Sequence, residues 1–243
     1  MKRLPHYSWL MRRIIRRSQK TVFISPSYKA RVLDEFSSIF EDKTKCVVIP
    51  NGIDDFWINR SLLPLRTKSE RNSGTVLFVG RLNKTKRPEL VFEVVQELRK
   101  LEPNYGYELK FVGIERSELL DYLSLKQLPD WVIVNGKTSN KSEIQSEYEK
   151  ALCLLVPSYQ ETFGLVYLEA LSNGCPVILC RTEGISGFFS DCKEIIELDS
   201  LSPKNIANKL LEIKEFRFDR SQISTQFSWE AYSNQMKTIL RVK

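Results

Sequence analysis

Apolar and polar positions along the chain change period in a regular way. Residues 75–80 are a short, almost wholly apolar run. Residues 88–101 then carry apolar side chains at 90, 91, 94, 95, 98 and 101, the spacing of one helical face. This couple recurs. Further strands are predicted at 107–113, 131–136, 152–157, 176–180 and 194–198, with helices at 115–126, 141–150, 163–173 and 203–214. Upstream, the pattern predicts a short basic helix over 8–18, a strand at 21–25, a helix over 26–37 and a strand at 46–50. That strand ends in Asn51-Gly52, a turn signal. Residues 59–74 are polar and loop-like, and a last helix is predicted over 229–241.

Apolar strands alternating with amphipathic helices imply βαβ units and a parallel sheet covered on both faces. The expected class is α/β, a doubly wound, Rossmann-like parallel sheet. Ligands of such sheets bind at the carboxyl ends of the strands, so the loops after strands are the place to seek chemistry.

Charge alters the picture locally. The net charge is +7, and seven basic residues fall within 1–20, where no acidic residue occurs. The other 30 basic residues match the 30 acidic ones, so the body is neutral. A nucleic-acid-binding body would be basic, and that class is excluded. No apolar run approaches the roughly 18 residues of a membrane span. The five cysteines, Cys46, Cys153, Cys175, Cys180 and Cys192, are odd in number and form no C-x-x-C pair. They read as reduced, buried thiols of a cytoplasmic protein. The only histidine is His6, which excludes histidine-based metal or triad chemistry in the body.

Two places carry candidate chemistry. After the strand at 75–80 comes Gly80-Arg81-Leu82-Asn83-Lys84-Thr85-Lys86-Arg87-Pro88. Pro88 suits a first helical turn. Four basic residues therefore crowd a helix start, where positive charge is disfavoured. A bound phosphate would relieve that conflict, with Arg81 and Lys86 as donors; a solvated basic loop is the plainer alternative. The second place follows the strand at 152–157. Glu161 lies in the loop at the sheet's carboxyl edge, Thr162 is the expected N-cap of the next helix, and Glu169 sits within that nearly all-apolar helix. A carboxylate there needs hydrogen-bond donors. A salt bridge or a partly exposed edge would also satisfy it, and two glutamates at this spacing decide nothing alone.

The combination is more specific. Phe78-Val79-Gly80-Arg81-Leu82 with Lys86, then Pro157-Ser158, Glu161, Phe163-Gly164-Leu165, Glu169-Ala170, Gly174 and Pro176-Val177-Ile178, resembles the E-x7-E region of retaining GT-B glycosyltransferases, specifically glycosyltransferase family 4. Residues 25–37 and 48–54 resemble the opening of that family's second domain. The resemblance implies one half of a GT-B fold. It also implies that Arg81 and Lys86 neutralise a donor's pyrophosphate and that Glu161 binds the transferred sugar. Glu169 would bind the ribose. Gly80, Thr162, Phe163, Gly164 and Leu165 would line the donor site, and Asn135-Gly136-Lys137 would lie near the base. The family needs no metal or cofactor; the implied substrate is a UDP- or GDP-sugar.

Two departures shape the expectations. Family members carry a whole acceptor-binding domain before the segment matching Ser25, and His6 does not match its active-site histidine. After Arg181 the run Glu183-Gly184-Ile185-Ser186-Gly187-Phe188 differs from the family's usual glutamate placement. The expected organisation is a remnant of the acceptor domain over 1–24, a nucleotide-sugar-binding domain over 25–227 and a C-terminal helix over 228–243. The expected function is glycosyl transfer in cell-surface polysaccharide assembly, with a glycan or lipid-linked acceptor and an acceptor site borne by a separate chain. A non-catalytic nucleotide-sugar-binding module and a truncated, inactive fragment are the alternatives; a sugar-nucleotide epimerase fits the motif context less well. Residues 1–20 read either as a peripheral contact to the inner face of the cell membrane or as a helix whose basic face is simply solvated.

Overall fold

Strand β3 (Thr75–Val79) lies at the centre of the sheet, with all five residues buried. Such a strand needs cover on both faces, which is why its sequence shows no alternation. It pairs in parallel with β4 (Glu108–Val112), which pairs with β5 (Val132–Val134). On its other edge lies β6 (Cys153–Leu155), followed by β7 (Val177–Cys180) and β8 (Ile195–Leu198). The order across the sheet is β5-β4-β3-β6-β7-β8, all parallel. After β5 the chain crosses to the other side of β3. Strand order therefore reverses between β3 and β6, and a crevice opens there at the carboxyl ends. The expected α/β class is what the chain adopts. The structure, a computed structural model, describes residues 5–64, 74–189, 192–213 and 218–240, with side chains from residue 9 onward.

Helix α4 (Pro88–Leu101) has Pro88 at its start and buries Leu90, Val91, Val94, Val95 and Leu98, as its periodicity predicts. Each fully buried Val or Leu stabilises by about 1.5–3 kcal/mol. Helices α5 (Arg116–Leu123), α6 (Lys141–Lys150), α7 (Leu165–Ser172) and α8 (Pro203–Leu211) connect the other strands or follow β8. Helix α10 (Trp229–Leu240) ends the described chain.

A smaller sheet precedes this one. β1 (Thr21–Phe23) pairs in parallel with β2 (Cys46–Val48), with α2 (Pro26–Glu35) between them in sequence. Phe23, Ile39, Phe40 and Cys46 form its core, and α1 (Pro5–Arg17) packs Met11 and Ile15 against it. All five cysteines are free, and only Cys192 is not fully buried.

Three expectations need correction. Helix α3 (Asp55–Leu62) runs into the stretch 59–74 expected as a loop. The Asp54 carboxylate caps it by accepting from the Phe56 N–H at 2.9 Å, and Trp57 and Ile58 are buried in the main core. Residues 65–73 of that expected loop lie outside the described residues, as do residues 1–4 of the basic segment and residues 214 and 241. A helix α9 (Ser221–Phe227) was not expected; Ile223 and Phe227, one turn apart, bury it. Finally, α7 starts at Leu165, so Thr162 is not its N-cap.

Candidate functional site

The carboxyl end of the sheet is closed by glycines. Gly113, after β4, has φ +94°, and a Cβ there would come 2.8 Å from the Gly80 carbonyl oxygen. Two neighbouring strand ends thus approach more closely than any side chain allows. The Gly113 N–H also donates to the Gly136 carbonyl at 2.7 Å. The ends of β3, β4 and β5 are locked together.

From Gly80 the chain enters the basic loop. The Asn83 side chain accepts from the Thr85 N–H at 3.0 Å and caps a single 3-10 turn, Lys84–Lys86. Arg87 follows in the left-handed region, at φ 49° and ψ 55°. Holding a non-glycine residue there costs on the order of 1 kcal/mol or more, so neighbours must fix it. The Arg87 guanidinium donates to the Pro157 carbonyl at 3.1 Å, reaches Cys180 Sγ at 3.5 Å and lies 4.7 Å over the Tyr159 ring. The Tyr159 N–H donates to the Thr85 carbonyl at 2.8 Å. These contacts tie the loop after β3 to the ends of β6 and β7 across the crevice.

Lys86 and Glu161 meet as a result. Lys86 Nζ lies 3.2 Å from Glu161 Oε2, though the residues are 75 apart in sequence; their side chains are 22% and 19% exposed. A Cβ on Gly80 would touch the Lys86 side chain at 3.2 Å, and one on Gly164 would touch Glu161 Cγ at 3.3 Å. Gly80, Lys86, Glu161 and Gly164 therefore form a continuous line across the reversal point. Arg81 is exposed beside it, and no partner for its guanidinium is found among the described residues.

Gly164 explains the corrected helix start. It takes φ 75°, and a Cβ would fall 2.4 Å from the Tyr167 ring. Phe163 before it is buried, whereas Leu165 after it is 45% exposed. The Thr162 carbonyl accepts from Ser25 Oγ at 2.7 Å, and the Thr162 N–H donates to Glu161 Oε1 at 3.2 Å.

One helical turn further, Glu169 is half-buried and accepts from the Tyr148 hydroxyl at 3.1 Å. Among the described residues it makes no ion pair, so of the alternatives raised from sequence the partly exposed edge applies. Burial pushes its carboxyl above the usual range, and Asp54 adds to this. The Tyr148 bond and Lys141 oppose it.

The expected base-side residues follow the edge strand β5. Asn135 Nδ2 donates to Glu147 Oε1 at 3.2 Å. The Lys137 N–H donates to Glu115 Oε1 at 3.1 Å, and its ammonium pairs with Glu118 at 2.7 Å. Asn135, Val112, Thr138, Ile144 and Glu147 help line a cavity of about 260 Å³. Gly136 joins this loop to Gly113 and, through it, to Gly80.

Sequence reasoning missed a support layer. Ser25 Oγ donates to Thr162, Ser27 Oγ donates to the Gly184 carbonyl at 2.8 Å, and Arg31 pairs with Glu183 at 2.7 Å. All three come from α2 or its N-cap and reach the loops after β6 and β7. Pro88 at the first helical position could have marked Arg87 as a cap. Nothing in the sequence marked Ser25, Ser27, Arg31 or Tyr148 for these roles. Among the described residues there is no group of three or more His, Cys, Asp or Glu able to hold a metal.

An open parallel sheet with a basic loop and a lysine–glutamate pair at its reversal point has the fold of GT-B glycosyltransferases. A glycosyltransferase from Rickettsia africae ESF-5 matches with a TM-score of 0.72 at 18% identity, covering 100% of this chain and 69% of that one. Anabaena HepE, crystallised with UDP and glucose, matches with a TM-score of 0.66 at 16% identity, covering 99% and 69%. The chain belongs to the glycosyl transferases group 1 family, whose model matches residues 64–227. It is 26% identical over 211 residues to a D-inositol 3-phosphate glycosyltransferase of Paenarthrobacter aurescens (strain TC1), covering 83% of this chain and 50% of that protein. A D-inositol 3-phosphate glycosyltransferase of Corynebacterium jeikeium (strain K411) is 28% identical over 221 residues, covering 78% and 50%. The chain spans about half the length of these relatives.

Proposed function

We propose that this chain binds a nucleoside diphosphate sugar, a UDP- or GDP-sugar, between the ends of β3 and β6, and supplies the donor site of a retaining glycosyltransferase. The observation that carries this is the Lys86–Glu161 pair at the reversal point of the sheet. Lys86 and Arg81 take the diphosphate, offsetting the charge that grows on it as it leaves. Glu161 accepts from hydroxyls of the transferred sugar, and the backbone at Phe163, Gly164 and Leu165 lies alongside. Glu169 accepts from the ribose, and the base occupies the cavity beside Asn135. These residues need no metal or cofactor for this work. Lys86 and Glu161 satisfy one another, so neither charge is unpaired in a partly buried site. The acceptor is a glycan or lipid-linked saccharide of cell-surface polysaccharide assembly, held by other parts of the protein or by a separate chain, on the cytoplasmic side.

Calorimetry with UDP-, GDP- and ADP-sugars tests the reading; absence of binding at millimolar concentration rejects it. Arg81→Ala is expected to weaken UDP about tenfold and leave uridine unchanged, since one charge-assisted bond to phosphate contributes roughly 1.5 kcal/mol. Equal losses for both would remove Arg81 from the phosphate role. Donor hydrolysis by the chain separates an enzyme from a binding module.

No helix among the described residues is long and apolar enough to cross a membrane. Helix α1 does expose Trp9, Leu10 and Ile14 beside Arg13, Arg16 and Arg17. That mixture fits the surface of an anionic bilayer. Co-sedimentation is expected with vesicles containing anionic lipid and is expected to fall with added salt. Equal sedimentation with neutral vesicles would contradict an electrostatic contact.

A further inference from the structure

We infer that Tyr148 is a positioning residue for Glu169, holding one oxygen of the carboxylate so that the other is left to accept from the donor's ribose. This rests on the donor-binding reading above. Tyr148 lies in the last turn of α6 and is 1% exposed. Trp57 of α3 meets its ring edge-on, with centroids 5.9 Å apart. Its hydroxyl has a single proton and donates it to Glu169 Oε2. Burial, then Glu169 itself, raises the Tyr148 phenol well above its ordinary range, so it stays a donor at every working pH. Oε1 of Glu169 takes no hydrogen bond among the described residues.

The chemistry explains why a buried tyrosine is useful here. A ribose hydroxyl pair donates, and an ionised carboxylate accepts about twice as strongly as a neutral carboxyl, one of whose oxygens carries a proton. Burial in the apolar α7 face works against ionisation. The groups facing Glu169 are Tyr148 and Lys141 from α6 and Asp54 from the N-cap of α3. Lys141 and Asp54 are paired with each other at 2.5 Å and largely cancel. Cys175, after α7, lies near Tyr148. Tyr148 is thus the group that keeps Glu169 an acceptor. Because the Glu169 carboxyl is raised, its charge, and ribose binding with it, is lost at a higher pH than for an ordinary glutamate as the solution is acidified.

The test is Tyr148→Phe, which removes one oxygen and keeps the ring. The Glu169 carboxyl is titrated by NMR in the ligand-free protein, and UDP and 2′,3′-dideoxy-UDP are titrated by calorimetry across pH. The Glu169 midpoint is expected to rise by about one pH unit, the weight of one hydrogen bond to a charged group, so that UDP binding weakens at a higher pH on acidification than in the unaltered chain and is about tenfold weaker once the pH lies below both midpoints. The dideoxy nucleotide is expected to bind both proteins alike. Glu169→Gln serves as the second variant: it should lose the same discrimination, and adding Tyr148→Phe to it should change nothing more. An unmoved Glu169 midpoint, or equal losses for UDP and its dideoxy analogue, overturns the positioning role while the donor reading stands. If the unaltered chain binds neither nucleotide, the donor reading fails and this inference falls with it.

Discussion

Glu149→Ala is expected to lower the unfolding free energy by about 3–5 kcal/mol, read by urea denaturation. Arg60 of α3 donates from Nε to Glu149 Oε1 at 2.9 Å, with side chains only 9% and 3% exposed. Gln145 also donates to that oxygen, at 2.7 Å. Without the carboxylate, the Arg60 guanidinium keeps the Pro64 carbonyl at 3.0 Å but remains a buried charge with no counterion. The pair joins α3 to α6, which carries Tyr148. The exposed Lys141–Asp54 pair joins the same two helices at their outer ends, and such a pair contributes only about 0–1 kcal/mol. Disrupting that one should barely register. A loss under about 1 kcal/mol for Glu149→Ala would mean that Arg60 finds solvent at little cost.

Lys86→Ala carries the largest effect expected on chemistry. If the crevice between β3 and β6 holds a donor diphosphate, removing its partly buried cation should slow donor hydrolysis or transfer by about 10²–10³, the scale of one preorganised electrostatic contact. Unfolding should be nearly unchanged, because the Lys86–Glu161 pair is partly solvated and the 3-10 turn is capped by Asn83 rather than by lysine. Steady-state rates with saturating donor distinguish this from lost affinity. A variant with full turnover and weaker binding would leave Lys86 a docking group with no part in stabilising the leaving diphosphate.

The repeating part of this fold was legible because each element obeys one local rule. Helix α4 begins at Pro88 and ends at Leu101, the span its apolar spacing defines. The elements that were not legible are those whose stability comes from tertiary contacts. Helix α3 has only two turns and mixes Trp57 and Ile58 with Asp55, Asn59 and Arg60; its core contacts and the Glu149 partner make it a helix. In α9, two buried residues among polar ones leave too weak a periodicity to read. The helix start after β6 was misread because Thr162 has the chemistry of a cap, whereas the buried Phe163 pushes the turn on to Gly164. Motif resemblance pointed at Lys86 and Glu161 separately, but their contact depends on Arg87 and Tyr159 closing two distant loops onto each other. No pattern within one segment encodes that.

Ser25 and Ser27 give the stretch matched by the family, residues 64–227, an incomplete boundary. A polypeptide cut at residue 64 would lose both hydroxyls that donate to the Thr162 and Gly184 carbonyls. It would also lose Arg31, the ion-pair partner of Glu183. Trp57 and Ile58 would be missing from the core, and Glu149 would lose its Arg60 partner. A piece able to stand alone is therefore longer than the stretch the family model matches. A domain-swapping or grafting experiment on this chain should place its upstream junction before Ser25, because the loop bearing Glu161 is fastened from there.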